Sequence, residues 1–186
     1  MAGLRNKRKL RSFMLEKRKN MEIKEVEEKS EIVVNQFLNL YSGYKNYLLY
    51  FSFSNEVNTY KLICCLKNVN KRVFAPKIKG DELLPAEVTG MQNLSKNRYN
   101  ILEPVEFAEC YEFDIVVVPG VAFDKNCNRV GFGAGFYDKL LPKLTYQALV
   151  GFAYDYQVVE GIEKDDFDIP MDVVITEKNI YRRNEC

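Results

Sequence analysis

The sequence predicts an α/β fold, in which a three-layer α/β/α sandwich surrounds a mostly parallel sheet and a long basic helix forms the N-terminus. Three observations predict it. The apolar, β-branched run at residues 114–118 is typical of a strand that is covered on both faces. Further apolar runs alternate with helical patterns, as they do in parallel sheets. Basic residues open a helical pattern near residue 4, and the 186 residues are expected to form one domain spanning positions 1–186.

Apolar spacing predicts where the elements lie. Residues 4–40 predict one long helix or two helices in series, because apolar side chains and the stem of Lys17 recur at helical spacing. Pro76 is expected to end the second strand, and residues 79–112 are expected to be irregular, with polar turns and mixed short elements. Strands are predicted at residues 47–51, 72–75, 114–118, 148–152 and 172–175, and further helices at 57–66 and 136–144.

Composition excludes several classes of chemistry. Histidine is absent, which excludes Ser-His-Asp triads, Cys-His dyads and His-ligated metals. The net charge of +1 provides no global field for nucleic acid or a membrane surface, and no apolar run approaches the ~20 residues of a membrane span. Five cysteines without a CxxC pair favour a reduced, cytoplasmic location. The basic N-terminus leaves a transit peptide as the alternative.

The most informative segment is the glycine-rich stretch at residues 129–138. Gly131, Gly133 and Gly135 alternate just before a predicted helix. Glycines allow a backbone to approach an anion closely, and a helix N-terminus attracts negative charge, so this stretch can cradle phosphate. It matches neither a Walker A loop nor a dinucleotide fingerprint. A flexible loop in front of a capped helix is the alternative interpretation.

Charged residues near both ends of the chain add to this hypothesis. Arg129 could neutralise a phosphate oxygen and Asp138 could reach Mg²⁺. Alternatively, Asp138 could simply stabilise the first turn of its helix by interacting with the helix dipole. Lys7 and Arg11 share one helix face. That face could grip a triphosphate or lie on nucleic acid, or it could be a solvated helix end. The same basic cluster also contains Arg5, Arg8 and Lys9.

Two acidic features stand close to predicted strand ends. Glu56 follows the first strand, at a position where open α/β sheets form ligand crevices. It could accept hydrogen bonds from amino groups of a ligand, or it could complete a helix start with Ser54 or Asn55. Near the C-terminus, a cluster could hold Mg²⁺ or occupy an exposed turn; it contains Asp165, Asp166, Asp168 and Asp172.

Taken in order, these segments resemble the 5-formyltetrahydrofolate cyclo-ligase family along nearly the whole chain. No single segment is decisive, but their joint order and spacing are more specific than the glycines alone. The segments are residues 7–11 (KRKLR), 55–59 (NEVNT), 73–77 (VFAPK), 103–104 (EP), 119–124 (PGVAFD), 129–138 (RVGFGAGFYD), 153–157 (AYDYQ) and 168–172 (DIPMD).

The resemblance implies an ATP- and Mg²⁺-dependent conversion of 5-formyltetrahydrofolate to 5,10-methenyltetrahydrofolate, with release of ADP and phosphate. In the family, the formyl oxygen is thought to take the γ-phosphoryl group, which gives an iminium phosphate. N10 then attacks the activated carbon and phosphate leaves. Phosphoryl transfer needs positioning and charge neutralisation more than a side-chain nucleophile, so a chain without histidine can support it.

The resemblance also implies roles for individual residues. The catalytic group would be Arg129, Lys7 and Tyr137. The ATP site would comprise Lys7, Arg8, Lys9, Leu10, Arg11, Arg129, Val130, Gly131, Phe132, Gly133, Ala134, Gly135, Phe136 and Tyr137. The folate would contact Phe51, Glu56, Phe132, Gly133, Ala134, Gly135 and Phe136. Asp138 and Asp168 would bind Mg²⁺, and Gln157 is a further pocket candidate.

Three positions depart from the family pattern. Cys127 stands where the family usually has Gly, so Asn126 or Asn128 is expected to take the positive φ of that turn, and a thiol would lie near the nucleotide. Val130 replaces the commoner Leu, a neutral packing change. Phe136 stands where Tyr is common, so a hydroxyl contact would be lost.

Two other functions stay open at the level of sequence. One is another ATP-dependent small-molecule kinase or ligase on a similar scaffold, because fold analogy alone does not separate such enzymes. The other is a nucleic-acid binding protein that uses the basic N-terminal helix, against which the net charge of +1 argues. The expected partner is a reduced folate, with no nucleic acid and no membrane, and the expected state is a monomer.

Overall fold

The computed structural model describes residues 6–107, 110–165 and 167–184. Arg5, Asp166 and Cys186 lie outside these ranges. Four α-helices are present in the described chain, and their bounds are α1, Lys7–Lys19; α2, Ile23–Tyr41; α3, Tyr60–Asn68; and α4, Phe136–Leu140. The twelve strands are β1, Asn46–Leu48; β2, Arg72–Lys79; β3, Glu82–Glu87; β4, Leu94–Lys96; β5, Leu102–Pro104; β6, Glu112–Pro119; β7, Ala122–Asp124; β8, Arg129–Val130; β9, Thr145–Phe152; β10, Val158–Val159; β11, Val173–Ile175; and β12, Ile180–Arg182.

A seven-stranded sheet in the order β12-β11-β9-β6-β1-β2-β3 forms the centre of the fold. Its five inner strands are parallel, and the two edge strands, β12 and β3, are antiparallel to their neighbours. The apolar run that was predicted as a doubly covered strand is β6, and Ile115, Val116, Val117 and Val118 are fully buried. The prediction of an α/β fold around a mostly parallel sheet is confirmed.

Each face of the sheet has its own apolar core. On one face, side chains of α2 and α3, such as Phe37 and Leu62, pack against Val117 and Val150 of the sheet. On the other face, Leu140 and Leu141 pack with Phe123 and with sheet residues such as Val116 and Leu149. The two clusters are the two interfaces of the predicted three-layer sandwich.

A third apolar cluster attaches the N-terminal helix to a small sheet. Strands β10, β7 and β8 form this sheet, and Leu10 and Met14 of α1 pack on Val121, Ala122 and Val130. Helix α1 therefore lies against the strand that leads directly into the glycine-rich stretch. This packing places the basic residues of α1 beside that stretch.

The N-terminal segment forms two helices in series, which decides between the two alternatives. Helix α1 ends at Lys19, and the side-chain amide of Asn55 donates to the carbonyls of Arg18 and Met21 at 3.1 and 3.2 Å. A side-chain donor at this point satisfies carbonyls that a helix end leaves free. The stripe of α1 also differs from the prediction, because Arg18 is buried and Lys17 is exposed.

Two other predictions about elements were wrong, those for Pro76 and for the length of the helix at residue 136, and the prediction for residues 79–112 was correct only in part. Strand β2 continues through Pro76, which lies beyond the stretch paired with β1 and faces Pro85 of β3, so no parallel ladder bond is lost. The segment expected to be irregular contains β3, β4 and β5. Helix α4 ends at Leu140, and a single 3₁₀ turn, Leu141–Lys143, completes the predicted helix.

Within the described ranges, none of the helices combines the length and the apolar character needed to cross a bilayer. The described cysteines, Cys64, Cys65, Cys110 and Cys127, are free thiols.

Candidate active site

A pocket of about 580 Å³ opens where the parallel strands β1 and β6 end. Tyr50 and Phe51 follow β1, and Pro119 ends β6; all three line the pocket. Carboxyl ends of parallel strands are the usual place for a ligand crevice in an open α/β sheet. The remaining walls come from α1, the loop that carries Glu56, strands β2 and β3, the hairpin of β4 and β5, the glycine-rich stretch and the segment around residue 165.

Most of the residues singled out from the sequence line this one pocket. They are Lys7, Arg11, Phe51, Glu56, Arg129, Val130, Gly131, Phe132, Gly133, Ala134, Gly135, Phe136, Tyr137, Asp138 and Asp168. Five others that the structure describes do not line it. Arg8 and Lys9 are exposed, Leu10 is buried in the α1 cluster, and the amide of Gln157 donates to the Val121 carbonyl at 2.8 Å. Asp172 lies outside the pocket, where it accepts hydrogen bonds from Nη2 of Arg183 at 2.7 Å and from the Leu149 amide at 2.8 Å.

The glycine-rich stretch bends in a way that requires glycine. Gly133 has φ of +100° and Gly135 has φ of +67°, values that side-chain-bearing residues rarely adopt. Arg11 holds the stretch from α1, because its Nε donates to the Gly131 carbonyl at 2.8 Å. A Cβ atom added at Gly133 would lie 3.4 Å from the Arg11 guanidinium carbon. The stretch and the helix are therefore fitted closely to each other.

Arg129 is a buried cation at the start of that stretch. Its Nη2 donates to the Asp138 carboxylate at 2.6 Å and its Nη1 donates to the Pro119 carbonyl at 3.4 Å. Its guanidinium carbon lies 5.7 Å from the centre of the Tyr137 ring. Within the described chain, its Nε has no hydrogen-bond partner, which leaves a buried donor free for a ligand.

Lys7 forms a second charged group at the pocket. Its ammonium donates to Asp165 at 2.6 Å and also to Asp168. Burial alone would lower the pKa of Lys7, but the hydrogen bonds to the two carboxylates outweigh burial and raise that pKa. Lys7 therefore stays positively charged, while Asp165 and Asp168 bring negative charge to the same side of the pocket.

Glu56 is a buried carboxylate in the pocket wall. Its Oε2 accepts the Phe53 amide at 3.1 Å, and its Oε1 lies 3.7 Å from Nη1 of Arg18. Burial raises the pKa of Glu56 to about 7, although Arg18 and the Phe53 amide lower it. Burial also raises the pKa of Tyr137; nearby Glu56 raises it further and Arg129 lowers it. The Tyr137 hydroxyl therefore keeps its proton at neutral pH and can donate a hydrogen bond.

Cys127 adopts the positive φ of its turn itself, with φ of +64°. The prediction that Asn126 or Asn128 would do so was wrong. The Asp124 side chain holds the turn, because its Oδ1 accepts the amides of both asparagines at 2.9 Å and its Oδ2 accepts the Asn128 side chain at 2.9 Å. The Cys127 thiol is buried in the second core and does not line the pocket.

Several residues that line or support the pocket were missed. Asn97, Tyr99 and Ile101 come from the hairpin of β4 and β5, which sequence patterns had not revealed. Tyr99 packs edge-on against Phe136, with ring centres 6.4 Å apart. Arg18 supports the pocket wall. The only sequence signal for its burial was its helical spacing, eight residues after Leu10.

The donor set suits a triphosphate with a magnesium ion. Lys7, Arg11 and Arg129 provide cations, and the free Nε of Arg129 marks an unused donor. Asp138 and Asp168 provide hard oxygen ligands, and Mg²⁺ is commonly held by one or two carboxylates together with phosphate oxygens. Among the residues that the structure describes, three or more metal-ligating side chains are nowhere grouped together.

The comparisons with known proteins identify one family. The sequence model of the 5-formyltetrahydrofolate cyclo-ligase family matches residues 4–177. The 5-formyltetrahydrofolate cyclo-ligase of Haemophilus influenzae is 36% identical over 136 residues, covering 68% of this chain and 73% of that protein. The one from Escherichia coli K12 is 32% identical over 142 residues, covering 72% and 78%. The structure of Aquifex aeolicus 5,10-methenyltetrahydrofolate synthetase superimposes with a TM-score of 0.87 at 35% identity, covering 97% of this chain and 94% of that one.

Proposed function

Since the chain belongs to the 5-formyltetrahydrofolate cyclo-ligase family, we propose that it cyclises 5-formyltetrahydrofolate to 5,10-methenyltetrahydrofolate with ATP and Mg²⁺, releasing ADP and phosphate. The observation that supports this proposal most is that one pocket holds four features together. They are cations from α1, a glycine-rich stretch, a buried carboxylate and an apolar wall. A reaction between a triphosphate and a flat heterocycle needs all four features in one place.

The nucleotide side of the pocket is proposed to be the charged one. Lys7, Arg11 and Arg129 would neutralise phosphate oxygens, and positive charge at fixed positions stabilises the charge that develops during phosphoryl transfer. Gly133 and Gly135 adopt positive φ, and without a Cβ they would let the backbone approach the phosphates closely. The proposed roles of Arg8, Lys9 and Leu10 find less support, because these three residues do not line the pocket.

The folate side is proposed to be the apolar one. Phe51 would form a wall, and the Phe53 and Phe132 rings lie 5.2 Å apart beside it. Glu56 would accept hydrogen bonds from N–H groups of the folate. The rest of the stretch up to Phe136 would separate the folate from the phosphates while touching both. This arrangement would bring the formyl group beside the terminal phosphate.

ATP supplies the phosphoryl group that turns the formyl oxygen into a leaving group, and Mg²⁺ bound by Asp138 and Asp168 would screen the phosphate charge. We propose that the formyl oxygen becomes phosphorylated, that N10 attacks the resulting iminium phosphate carbon and loses its proton to solvent, and that the C–O bond to phosphate then breaks to release phosphate and leave the methenyl product. The chain contributes positioning and charge. Arg129 would stabilise the phosphoryl group, Lys7 would hold the polyphosphate and the protonated Tyr137 would donate a hydrogen bond in the pocket.

An absorbance assay tests the proposed reaction. The protein is mixed with 5-formyltetrahydrofolate and MgATP, and the near-ultraviolet band of the methenyl product is followed. We expect the band to grow only when ATP and Mg²⁺ are both present, and the growth to stop when EDTA is added. A folded protein that binds ATP but produces no band would favour another ATP-dependent kinase or ligase.

A salt titration separates the enzyme from the nucleic-acid alternative. Binding to nucleic acid through α1 would weaken steeply with salt, because each phosphate contact releases counterions. ATP that is held by buried Arg129 and backbone groups is expected to respond less. We further propose a monomer in the cytoplasm; sedimentation at several protein concentrations tests the first point, and cell fractionation tests the second.

A further inference from the structure

An arginine occupies the last buried position of α1. The side chains of α1 that face the interior are Leu10, Met14 and Arg18, spaced four residues apart. Arg18 is only 2% exposed, whereas its neighbours Lys17 and Lys19 are exposed. A buried guanidinium is costly unless it is paired, so its position at the end of an apolar stripe calls for an explanation.

Arg18 contacts two parts of the pocket wall. Its Nη1 lies 3.7 Å from Oε1 of Glu56, and its guanidinium carbon lies 5.2 Å from the centre of the Phe132 ring. Its Nε and Nη2 have no hydrogen-bond partner among the described residues, and the same holds for Oε1 of Glu56. The pair makes fewer hydrogen bonds than its atoms allow. A contribution to folding stability is therefore a poor explanation for two buried charges at this position.

We propose that Arg18 is a positioning residue for substrate binding, which keeps the Glu56 carboxylate charged and oriented towards the pocket. This inference rests on the proposed function, in which Glu56 contacts the folate. An ionised carboxylate accepts hydrogen bonds on both oxygens, whereas a protonated one must donate through one of them. The ligand chemistry that needs the ionised form is an edge with adjacent N–H donors, such as the amino-pyrimidinone edge of a reduced pterin.

The surroundings of Glu56 make this dependence on Arg18 strong. The Phe53 amide is the one hydrogen-bond donor to its carboxylate among the described residues. The ionisable groups that interact with it are Arg18 from α1, Tyr50 after β1, Tyr137 of α4 and Tyr154 after β9. The pKa of each of the three tyrosines is raised above its ordinary value. Among the described residues, Arg18 is the cation that lowers the pKa of Glu56 against the effect of burial.

The first experiment measures the ionisation of Glu56 without any ligand. Protein labelled with ¹³C at the glutamate carboxyl carbons is titrated between pH 5 and pH 9 by NMR, and the Glu56 resonance is assigned from its absence in E56Q. We expect the midpoint to rise by about one pH unit or more in R18M, since an opposite charge at this distance typically lowers a carboxyl pKa by 1–3 units. R18K, which keeps a charge, is expected to lie between R18M and the wild type. An unchanged midpoint in both variants would overturn the proposal.

The second experiment measures binding of 5-formyltetrahydrofolate by calorimetry across pH 6 to pH 9. At pH 6, we expect R18M to bind about tenfold more weakly, because a rise of one unit from a pKa of about 7 reduces the ionised fraction of Glu56 nearly tenfold at that pH. The loss should shrink as the pH rises, which a purely structural defect would not do. K19M, a change at the exposed neighbour, serves as the matched control and should bind like the wild type.

The double variant R18M/E56Q completes the test. If Arg18 acts through Glu56, R18M should cost little further affinity in the E56Q background. A full additional loss in that background would overturn the proposal. Should the NMR midpoint move while folate binding changes in neither R18M nor E56Q, the contact of Glu56 with folate would be refuted, and with it the role of Arg18 in substrate binding. If R18M does not fold, R18K must still raise the midpoint for the proposal to survive.

Discussion

The Arg129 guanidinium donates to the Asp138 carboxylate at 2.6 Å, and this ion pair joins the two ends of the glycine-rich stretch. Arg129 is nearly buried, with 7% of its side chain exposed, and Asp138 is partly exposed. Each partner has a second proposed task, since the cation would contact phosphate and the carboxylate would contact Mg²⁺. The pair therefore orients both groups before a ligand arrives, which lowers the cost of ordering them during the reaction.

Replacing Arg129 with Ala is expected to slow turnover by about 10²–10³-fold, or about 3–4 kcal/mol, because a preorganised charge contact is lost. The measurement is the initial rate of methenyl formation at saturating ATP and folate. Arg72→Ala is the matched control, since Arg72 pairs with Glu87 on the surface and surface pairs contribute little. Near-wild-type turnover in the Arg129 variant would reject the proposed catalytic role.

Replacing Asp138 with Asn should raise the Mg²⁺ concentration needed for half-maximal activity. We expect an increase of at least the roughly tenfold that even outer-shell substitutions cost a metal site. The measurement is a magnesium titration of the rate, with Asp81→Asn, at an exposed surface pair, as the control. ATP binding without metal should change much less; an equal loss there would instead assign the effect to the released Arg129.

Gly133→Ala is expected to raise the KM for ATP about fivefold or more. Alanine at φ of +100° is strained by at least about 1 kcal/mol, and its Cβ would lie 3.4 Å from the Arg11 guanidinium carbon. Gly43→Ala provides the control, because a Cβ at Gly43 would meet no atom within 4 Å. An unchanged KM for ATP in the Gly133 variant would show that the nucleotide does not depend on this part of the stretch.

Cys127 should resist alkylation in the folded protein. Burial, together with the negative charge of Asp124, raises the pKa of its thiol to about 11, while the thiolate is the form that reacts. Iodoacetamide at pH 8 followed by mass spectrometry should show Cys64 and Cys65, which are exposed, modified first, and Cys127 modified only after unfolding. Equal rates at all three sites would contradict the buried placement.

Sequence patterns could predict the parts of this molecule whose signals are local. The β-branched run at β6 and the alternating glycines before α4 each carry a pattern within a few residues, and both lie where they were expected. The hairpin of β4 and β5 has no such pattern. Its position depends on Glu103, whose Oε2 accepts the Ile78 amide at 3.1 Å and the Asn97 side chain at 3.0 Å. Such a contact between distant segments leaves no periodic signal.

The residues of the candidate site likewise divide into those with a local sequence signal and those without one. Lys7 and Arg11 were predicted to share a helix face because their spacing of four residues fixes it. The burial of Arg18 could not be predicted in that way, since a basic residue at the end of a helix is ordinarily solvated. Arg18 is buried because it pairs with Glu56. The side chain of Asn55 holds the loop that carries Glu56 at the end of α1. Cys127 is similar, because the Asp124 hydrogen bonds decide which residue takes the positive φ.

Glu56 should make the free energy of unfolding fall as the pH rises between about 4.5 and 7. Its pKa is about 7 in the folded protein and 4.5 as an ordinary glutamate, so the native state binds more protons in this window and loses stability as the pH rises. Below the window both states are protonated, and above it both are ionised, so the contribution is constant there. The full effect is on the order of 3 kcal/mol.

Urea unfolding of the wild type and of Glu56→Gln at pH 5, 6, 7 and 8 isolates this contribution, because all other titrating groups are shared. We expect the wild type to lose unfolding free energy relative to Glu56→Gln as the pH rises to 7. Above pH 7 the difference between the two proteins should level off. Parallel curves would mean that Glu56 ionises as it does in solvent. Saturating 5-formyltetrahydrofolate should flatten the wild-type curve, because N–H donors from the ligand favour the charged carboxylate and lower its pKa. The ionisation of Glu56, which opposes folding, would then favour substrate binding.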